Sequence, residues 1–293
     1  MKAYIFPNLD KKNSLDITVE TCEILHRNGI DVSIDNDYSG KFDLSFTAEY
    51  GEESELIAGC DMVLAIGGDG TIIRCAGLCT AFDKPILGIN CGRLGFMAAL
   101  EHTELEKLSF LKEGRYTKSK RMMLTALVYK NGKLKGTFNA LNDIVLSKCS
   151  GSKIADFEVS KEKRLISSLR ADGIIFSTPT GATAYSMSAG GPIIEPELEC
   201  IEFTQICPHS LFARSMVFSP DSLLNIRCHA NSYAKADLTI DGNHVFDIGV
   251  NDRVTVKKSE NSVELIDIIG GSFFNSINMK LMQPLKGSNE TII

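Results

Sequence analysis

The sequence predicts an α/β domain followed by a β-rich one, and two successive patterns along the chain support this. Up to about residue 119, short apolar runs alternate with helix-length segments, as expected of a parallel sheet covered on both faces. From about Lys120 the apolar residues recur at every second position and turn dipeptides separate the runs. The 293 residues, 44% of them hydrophobic, are enough for two medium cores. Domains are therefore expected at 1–119 and 120–270, with 271–293 returning to the first domain.

The elements of the first part follow in order. Lys2 to Phe6 reads as a strand, and Asn13 or Ser14 starts a helix whose Ile17, Thr21, Ile24 and Leu25 share one face, with Gly29 as its stop. Ile30 to Ile34 is a second strand. Asp61 to Ile66 is a buried strand, Thr71 to about Leu78 the helix after it, and Pro85 to Asn90 the next strand, its proline at the entrance where no ladder donor is lost. In the second part, two alternating runs flank Asn131-Gly132, a strong hairpin signal. D-L-T-I-D-G-N-H-V-F-D-I and R-V-T-V-K-K-S-E-N-S-V-E-L-I-D-I also read as alternating runs joined by turns.

Composition narrows the function. A formal charge of −6 argues against a nucleic-acid binder, whose affinity comes from a basic surface. No stretch approaches a membrane span and the N-terminal apolar run is too short for a signal peptide, so a cytoplasmic protein with no membrane partner is expected. The nine cysteines include no C-x-x-C pair and sit mostly in apolar runs, which reads as buried reduced thiols. Cys75 and Cys79 share a helix face, but no nearby histidine completes a metal set.

The most informative stretch is A-I-G-G-D-G-T-I-I-R, Ala65 to Arg74. A strand, the Gly67-Gly68 turn and a helix start make an anion cradle, because free helix N–H groups and the helix dipole favour negative charge. It is neither a Walker loop, since no lysine follows Gly70, nor a dinucleotide fingerprint, since Ile73 stands where a third glycine belongs. The cradle also holds its own anion, Asp69, which repels phosphate unless something mediates. Either Mg²⁺ lies between them, or the carboxylate faces a hydroxyl that is being phosphorylated. The plainer alternative is that Asp69 caps a helix beginning at Thr71.

A second constellation runs from Asp172 to Pro192, rich in Thr, Ser and Gly and free of lysine and arginine. Hydroxyls and backbone amides without cations suit sugar hydroxyls and ring edges. Tyr185 there either stacks on a ring or packs as an ordinary core aromatic. Asn142-Asp143, at a strand entrance, either holds adjacent ribose hydroxyls or makes a simple turn.

Together these residues resemble the NAD kinase family over nearly the whole chain. Gly67–Gly70 is similar to its signature loop, I-N-C-G-R-L-G-F at Ile89–Phe96 to the segment that follows, and T-P-T-G-A-T-A-Y at Thr178–Tyr185 to its nucleotide motif. Asn142-Asp143 falls where the family usually has Asn-Glu; I-C-P-H-S-L, Ile206–Leu211, and Asp241-Gly242 also fall in place. The resemblance implies a Rossmann-like N-terminal domain, a β-rich C-terminal domain and a ligand cleft between them. It implies transfer of the terminal phosphoryl of ATP with Mg²⁺, or of polyphosphate, to the 2′-hydroxyl of the adenosine ribose of NAD, commonly by a homodimer or homotetramer. Asp69 would be the catalytic carboxylate, with Gly67, Gly68 and Gly70 in its phosphate loop, and Phe96 would line the adenine pocket. Asn142 and Asp143 would bind ribose, and Asp172 would meet the nicotinamide end. Thr183, Ala184, Tyr185 and Ser188 would surround the nucleotide, and Asp241 would lie near the reacting ribose and phosphate. The departure is Asp143, one methylene shorter than glutamate.

Two rivals carry different expectations. A diacylglycerol-type lipid kinase shares the G-G-D-G but needs a basic or apolar membrane face, and a non-catalytic NAD sensor gains nothing from Asp69 beside phosphate. Of His102, His209 and His244, only His244 lies near a suspected site residue. A structural or pocket-wall role is expected for it, as nothing adjacent resembles a nucleophile.

Overall fold

Five consecutive buried residues in the first strand, Lys2–Pro7 (β1), mark the centre of a sheet covered on both faces. The structure is a computed structural model and describes residues 1–92, 95–149, 154–211, 213–228, 236–268, 270 and 272–281. Arg93 and Leu94 of the I-N-C-G-R-L-G-F segment and residues 282–293 of the expected returning tail lie outside the described residues. The chain divides into two units, Met1–Ser119 with Glu264–Ile293, and Lys120–Val263.

In the first unit β1 is followed by helix Ser14–Arg27 (α1), strand Asp31–Asp35 (β2), strand Glu49–Gly51 (β3), helix Glu53–Gly59 (α2), strand Met62–Gly67 (β4) and helix Asp69–Cys79 (α3). Then come strand Ile86–Asn90 (β5), the short strand Leu100–Glu101 (β6) and helix Ser109–Lys112 (α4). The sheet is parallel, in the order β3-β2-β1-β4-β5, with β6 beside β5. That is the doubly wound order 3-2-1-4-5-6, which reverses between β1 and β4, and ligands bind outside the carboxyl ends of strands at such a reversal. α1 ends through Gly29, whose φ of 69° only glycine adopts without strain. Asn13 takes the N-cap position but makes no side-chain cap bond.

The second unit is built of strands, beginning at Thr117–Lys130 (β7) and Lys133–Ala140 (β8), then Asp143–Lys148 (β9), Ala155–Lys161 (β10), Arg164–Ala171 (β11) and Gly173–Ser177 (β12). One helical turn, Tyr185–Ser188 (α5), precedes Ile201–Ile206 (β13), Met216–Phe218 (β14), Leu224–Cys228 (β15), Ala236–Ile240 (β16), Asn243–Ile248 (β17) and Asp252–Asp267 (β18); helix Ser272–Leu281 (α6) ends the described chain. One sheet runs β14-β13-β12-β9-β16-β17, all antiparallel. Another joins β11, β10, β15, β18, β7 and β8. Inward residues of both, such as Leu124, Ile144, Phe157, Phe176 and Leu238, form a single apolar core.

Asn131 and Gly132 (φ 48° and 76°) close β7 onto β8, and Asp241 and Gly242 (φ 48° and 80°) close β16 onto β17; both are the paired left-handed turn that suits strand twist. One sequence expectation fails here. R-V-T-V-K-K-S-E-N-S-V-E-L-I-D-I is not two runs around a turn but a single strand of 16 residues, β18. It pairs with β15 at Val254–Val256, before its polar centre, and its last residues belong to the first unit, where Leu265 pairs with Ile86. Seven cysteines are buried, Cys149 is half-buried and Cys207 exposed, and all nine are free.

Candidate active site

In the first unit, β4 delivers the Gly67-Gly68 turn directly to α3. The helix begins at Asp69, two residues earlier than the sequence suggested, with Gly68 as N-cap and no side-chain cap bond. Asp69 is therefore not a capping residue. Its Oδ2 accepts the Phe96 N–H at 2.9 Å and its Oδ1 the Met97 N–H at 3.2 Å. The carboxylate is thus bonded to a loop after β5, with its charge matched by those amides and by the start of its own helix. Gly95 is required beside it, because a Cβ there would collide with Asp69 Oδ1. A Cβ on Gly67 would similarly strike Thr71 Oγ1, which accepts from Asn8 Nδ2 at 3.1 Å and ties the turn to the end of β1.

These groups line a cleft of about 520 Å³ formed by Asn8, Lys11, Gly67–Thr71, Asn90, Gly92 and Gly95. It lies at the carboxyl ends of β1 and β4, where the strand order reverses. Lys11 was missed by the sequence reading. No lysine follows the loop along the chain, but the segment after β1 supplies one through space, and only the position of the segment after a neighbouring strand hinted at it. Phe96 is half-buried and reaches the cleft's wall through its backbone bond to Asp69.

In the second unit the site residues are held by Asp241. Its left-handed turn aims the carboxylate at three successive amides: Leu141 N–H to Oδ2 at 2.8 Å, and Asn142 and Asp143 N–H to Oδ1 at 2.7 and 3.0 Å. Thr178 locks the same segment from the other side, donating its N–H to Asn142 O at 2.9 Å and its hydroxyl to Leu141 O at 2.6 Å. Asn142-Asp143 is accordingly no simple turn but a clamped strand entrance. Asn142 Oδ1 is buried and has no partner among the described residues.

Asp143 is buried, and desolvation first, then the charge of Asp241, push its carboxyl from 3.8 to about 7. Burial also raises Asp241, against three amides that lower it. A carboxyl raised by folding stabilises the fold below its unfolded value near 4, and that contribution is lost as pH rises through about 7. Replacing Asp143 with Asn is therefore expected to be more favourable at pH 8 than at pH 5, by on the order of 2 kcal/mol. Urea titrations of both proteins at the two pH values measure this; an identical difference at each would refute it.

Asp172 is half exposed and ion-paired with Lys148 at 2.7 Å, so it presents a compensated charge. Thr183 is buried, Ala184 half-buried and Ser188 exposed. Tyr185 is 46% exposed, which removes it from the core and leaves its ring open to a ligand. Behind this segment, Ser186 Oγ donates to Glu202 Oε1 at 2.7 Å, and Thr204 Oγ1 donates to the same oxygen at 3.0 Å. Glu202 is fully buried, and burial raises its pKa. A Cβ on Gly191 would strike Glu202 Oε1 and Ser186 Oγ. A lone glutamate in the apolar run C-I-E-F-T-Q-I was the signal for this support, and the sequence reading passed over it.

A reversal-point cleft holding a carboxylate in a glycine-rich turn, with a clamped polar segment in a second, β-rich unit, defines a two-unit nucleotide-binding protein. Residues 4–111 match the ATP-NAD kinase N-terminal domain and residues 141–268 the ATP-NAD kinase C-terminal domain. The chain belongs to the NAD kinase family. It is 35% identical over 283 residues to the NAD kinase of Caldanaerobacter subterraneus subsp. tengcongensis, covering 96% of this chain and 99% of that protein. The NAD kinase of Natranaerobius thermophilus is 37% identical over 279 residues, with 94% and 96% covered. In fold the chain is similar to yeast NADH kinase complexed with NADH, with a TM-score of 0.87, 24% identity, and 99% of this chain and 90% of that one covered. It is also similar to an Archaeoglobus fulgidus NAD kinase in complex with ATP, with a TM-score of 0.69 and 23% identity over 94% and 96% of the two chains. The lipid-kinase reading is set aside by this membership.

Proposed function

We propose that the chain transfers the terminal phosphoryl group of ATP, or of polyphosphate, to the 2′-hydroxyl of the adenosine ribose of NAD, giving NADP. The observation that carries the reading is Asp69, held rigidly by the Phe96 and Met97 amides inside a cleft that also contains Lys11 and a helix N-terminus. Donor phosphates sit against the first-turn amides of α3 and the Lys11 ammonium. Asp69 takes the proton of the attacking hydroxyl as the bond from O2′ to phosphorus forms and the bond to the leaving diphosphate breaks. The transition state is commonly loose, so placement of the hydroxyl counts for more than early proton removal.

The donor chemistry of the cleft suits Mg²⁺. Each Asp69 oxygen accepts one loop amide and keeps a second acceptor site, and hard cations take carboxylate oxygen. Bound there, the ion would neutralise charge on the transferring group. In the second unit, Asn142 Oδ1 is a buried acceptor whose missing donor a ribose hydroxyl supplies, and Asp143 beside it binds the same sugar. Tyr185, Thr183, Ala184 and Ser188 surround the nucleotide, Phe96 borders adenine, and Asp172 faces the nicotinamide end. Asp241 positions Asn142 and Asp143 through their backbone. Assembly is read as a homodimer or homotetramer, in the cytoplasm.

The test is purified protein with Mg²⁺, NAD and either ATP or polyphosphate, followed for NADP. Absence of NADP with both donors, with NAD binding intact, would favour the sensor instead. Lys11→Ala is expected to raise KM for ATP about tenfold with a smaller change in kcat, as loss of one charged phosphate contact does. An unaltered KM would remove Lys11 from the donor site.

A further inference from the structure

The β16–β17 hairpin carries a second group of chemistry-bearing side chains on its outer face. Asp237 and Asp247 stand directly opposite each other across the pair. Like charges in that relation are destabilising, and among the described residues neither forms an ion pair with lysine or arginine. Strict alternation along β17 would put His244 on the other face from Asp247. The register shift between Leu238 and Thr239 makes Val245 an extra residue, and this bulge brings His244 round to the carboxylates. His244 Nε2 lies 2.9 Å from Asp247 Oδ1 and 3.8 Å from Asp237 Oδ1, and the three donor atoms all lie within 4.8 Å of one another.

We infer that Asp237, His244 and Asp247 form a binding site for a divalent transition metal of the Zn²⁺ class. Ligand atoms bound at about 2.0–2.2 Å to one such ion are themselves roughly 3–4 Å apart, so small side-chain rotations accommodate it. An imidazole between two carboxylates selects Zn²⁺, Co²⁺ or Ni²⁺ over Mg²⁺ or Ca²⁺, which prefer all-oxygen sets. Cys149 Sγ donates to Asp237 Oδ1 at 3.1 Å and orients that ligand from behind. The exposed side leaves room for water to complete the coordination. The ion would cross-link the two strands that carry the Asp241 turn, three residues from His244. The site is independent of the proposed phosphoryl transfer.

Untagged, chelator-stripped protein titrated with Zn²⁺ by calorimetry, and with Co²⁺ by visible spectroscopy, tests the assignment. Expected are about one ion per chain, affinity weakened at least about tenfold in both His244→Ala and Asp247→Asn, and a Zn²⁺-dependent rise in melting temperature in the wild type alone. In chelator the variants should melt with the wild type; should His244→Ala melt early, His244→Gln and Asp247→Asn carry the comparison. Equal affinity in wild type and variants overturns the inference, as does no binding at all. A thiolate-to-cobalt band that persists in His244→Ala places the ion on cysteines and overturns it equally.

Discussion

Asp69→Asn is expected to lower turnover by on the order of 10²-fold or more, with the fold retained. The variant loses the negative charge that is proposed to take the hydroxyl proton. It also has one acceptor oxygen for two amides, so either the Phe96 or the Met97 N–H faces an NH₂ group. The structural share of that mismatch is about 1–2 kcal/mol, too small to unfold a two-unit chain. Gly95→Ala separates charge from placement. Its new Cβ would clash with Asp69 Oδ1 and push the intact carboxylate aside. If placement is what the loop provides, this variant too should lose most turnover, while a melting curve registers little. Unchanged kcat in Asp69→Asn would end the catalytic role outright.

Gly181→Ala should be among the most damaging single substitutions outside that loop. The added methyl would sit inside contact distance of the Asn142 Cα, carbonyl carbon and oxygen, all backbone atoms. They cannot yield, because Thr178 and Asp241 hold the same segment by six hydrogen bonds through Leu141, Asn142 and Asp143. Overpacking against fixed backbone is expected to cost about 3 kcal/mol or more, and to displace the Asn142 amide proposed to meet the sugar. Gly77→Ala is the matched control: nothing lies within 4 Å of its Cβ position inside α3, so it should be neutral or slightly stabilising. A Gly181→Ala protein with wild-type melting and wild-type KM for NAD would show that the segment is softer than its bonding implies.

Much of the fold was legible because the relevant signals are local. The parallel strands announce themselves as apolar runs, since both faces of each are covered. Asn131-Gly132 and Asp241-Gly242 announce hairpins, since few other residue pairs take two successive left-handed conformations cheaply. Asp69 stood out because a carboxylate in an anion cradle contradicts its surroundings. Local reading failed where a local preference was outvoted: S-E-N-S looks like a turn, yet β18 runs through it as one strand, paired with β15 before it at Val254–Val256 and with β5 after it at Leu265. Likewise a helix expected to begin at Thr71 offered Asp69 a cap bond, but the helix begins at Asp69 itself and two loop amides outside it hold the side chain instead.

Residue order alone thus settled the strands and helix that frame the glycine turn, and that a phosphate-type turn carries an acid; periodicity and backbone sterics act over a few neighbours and are written in the chain. What those acids are bonded to was decided by the assembled fold. Lys11 joins the glycine turn because β1 and β4 are adjacent, Gly95 is hemmed in by a side chain at the start of α3, and Asp241 turns out to clamp a strand entrance about a hundred residues away. Such partners meet only when distant backbone is brought to hydrogen-bonding range, and no rule of sequence spacing encodes that distance.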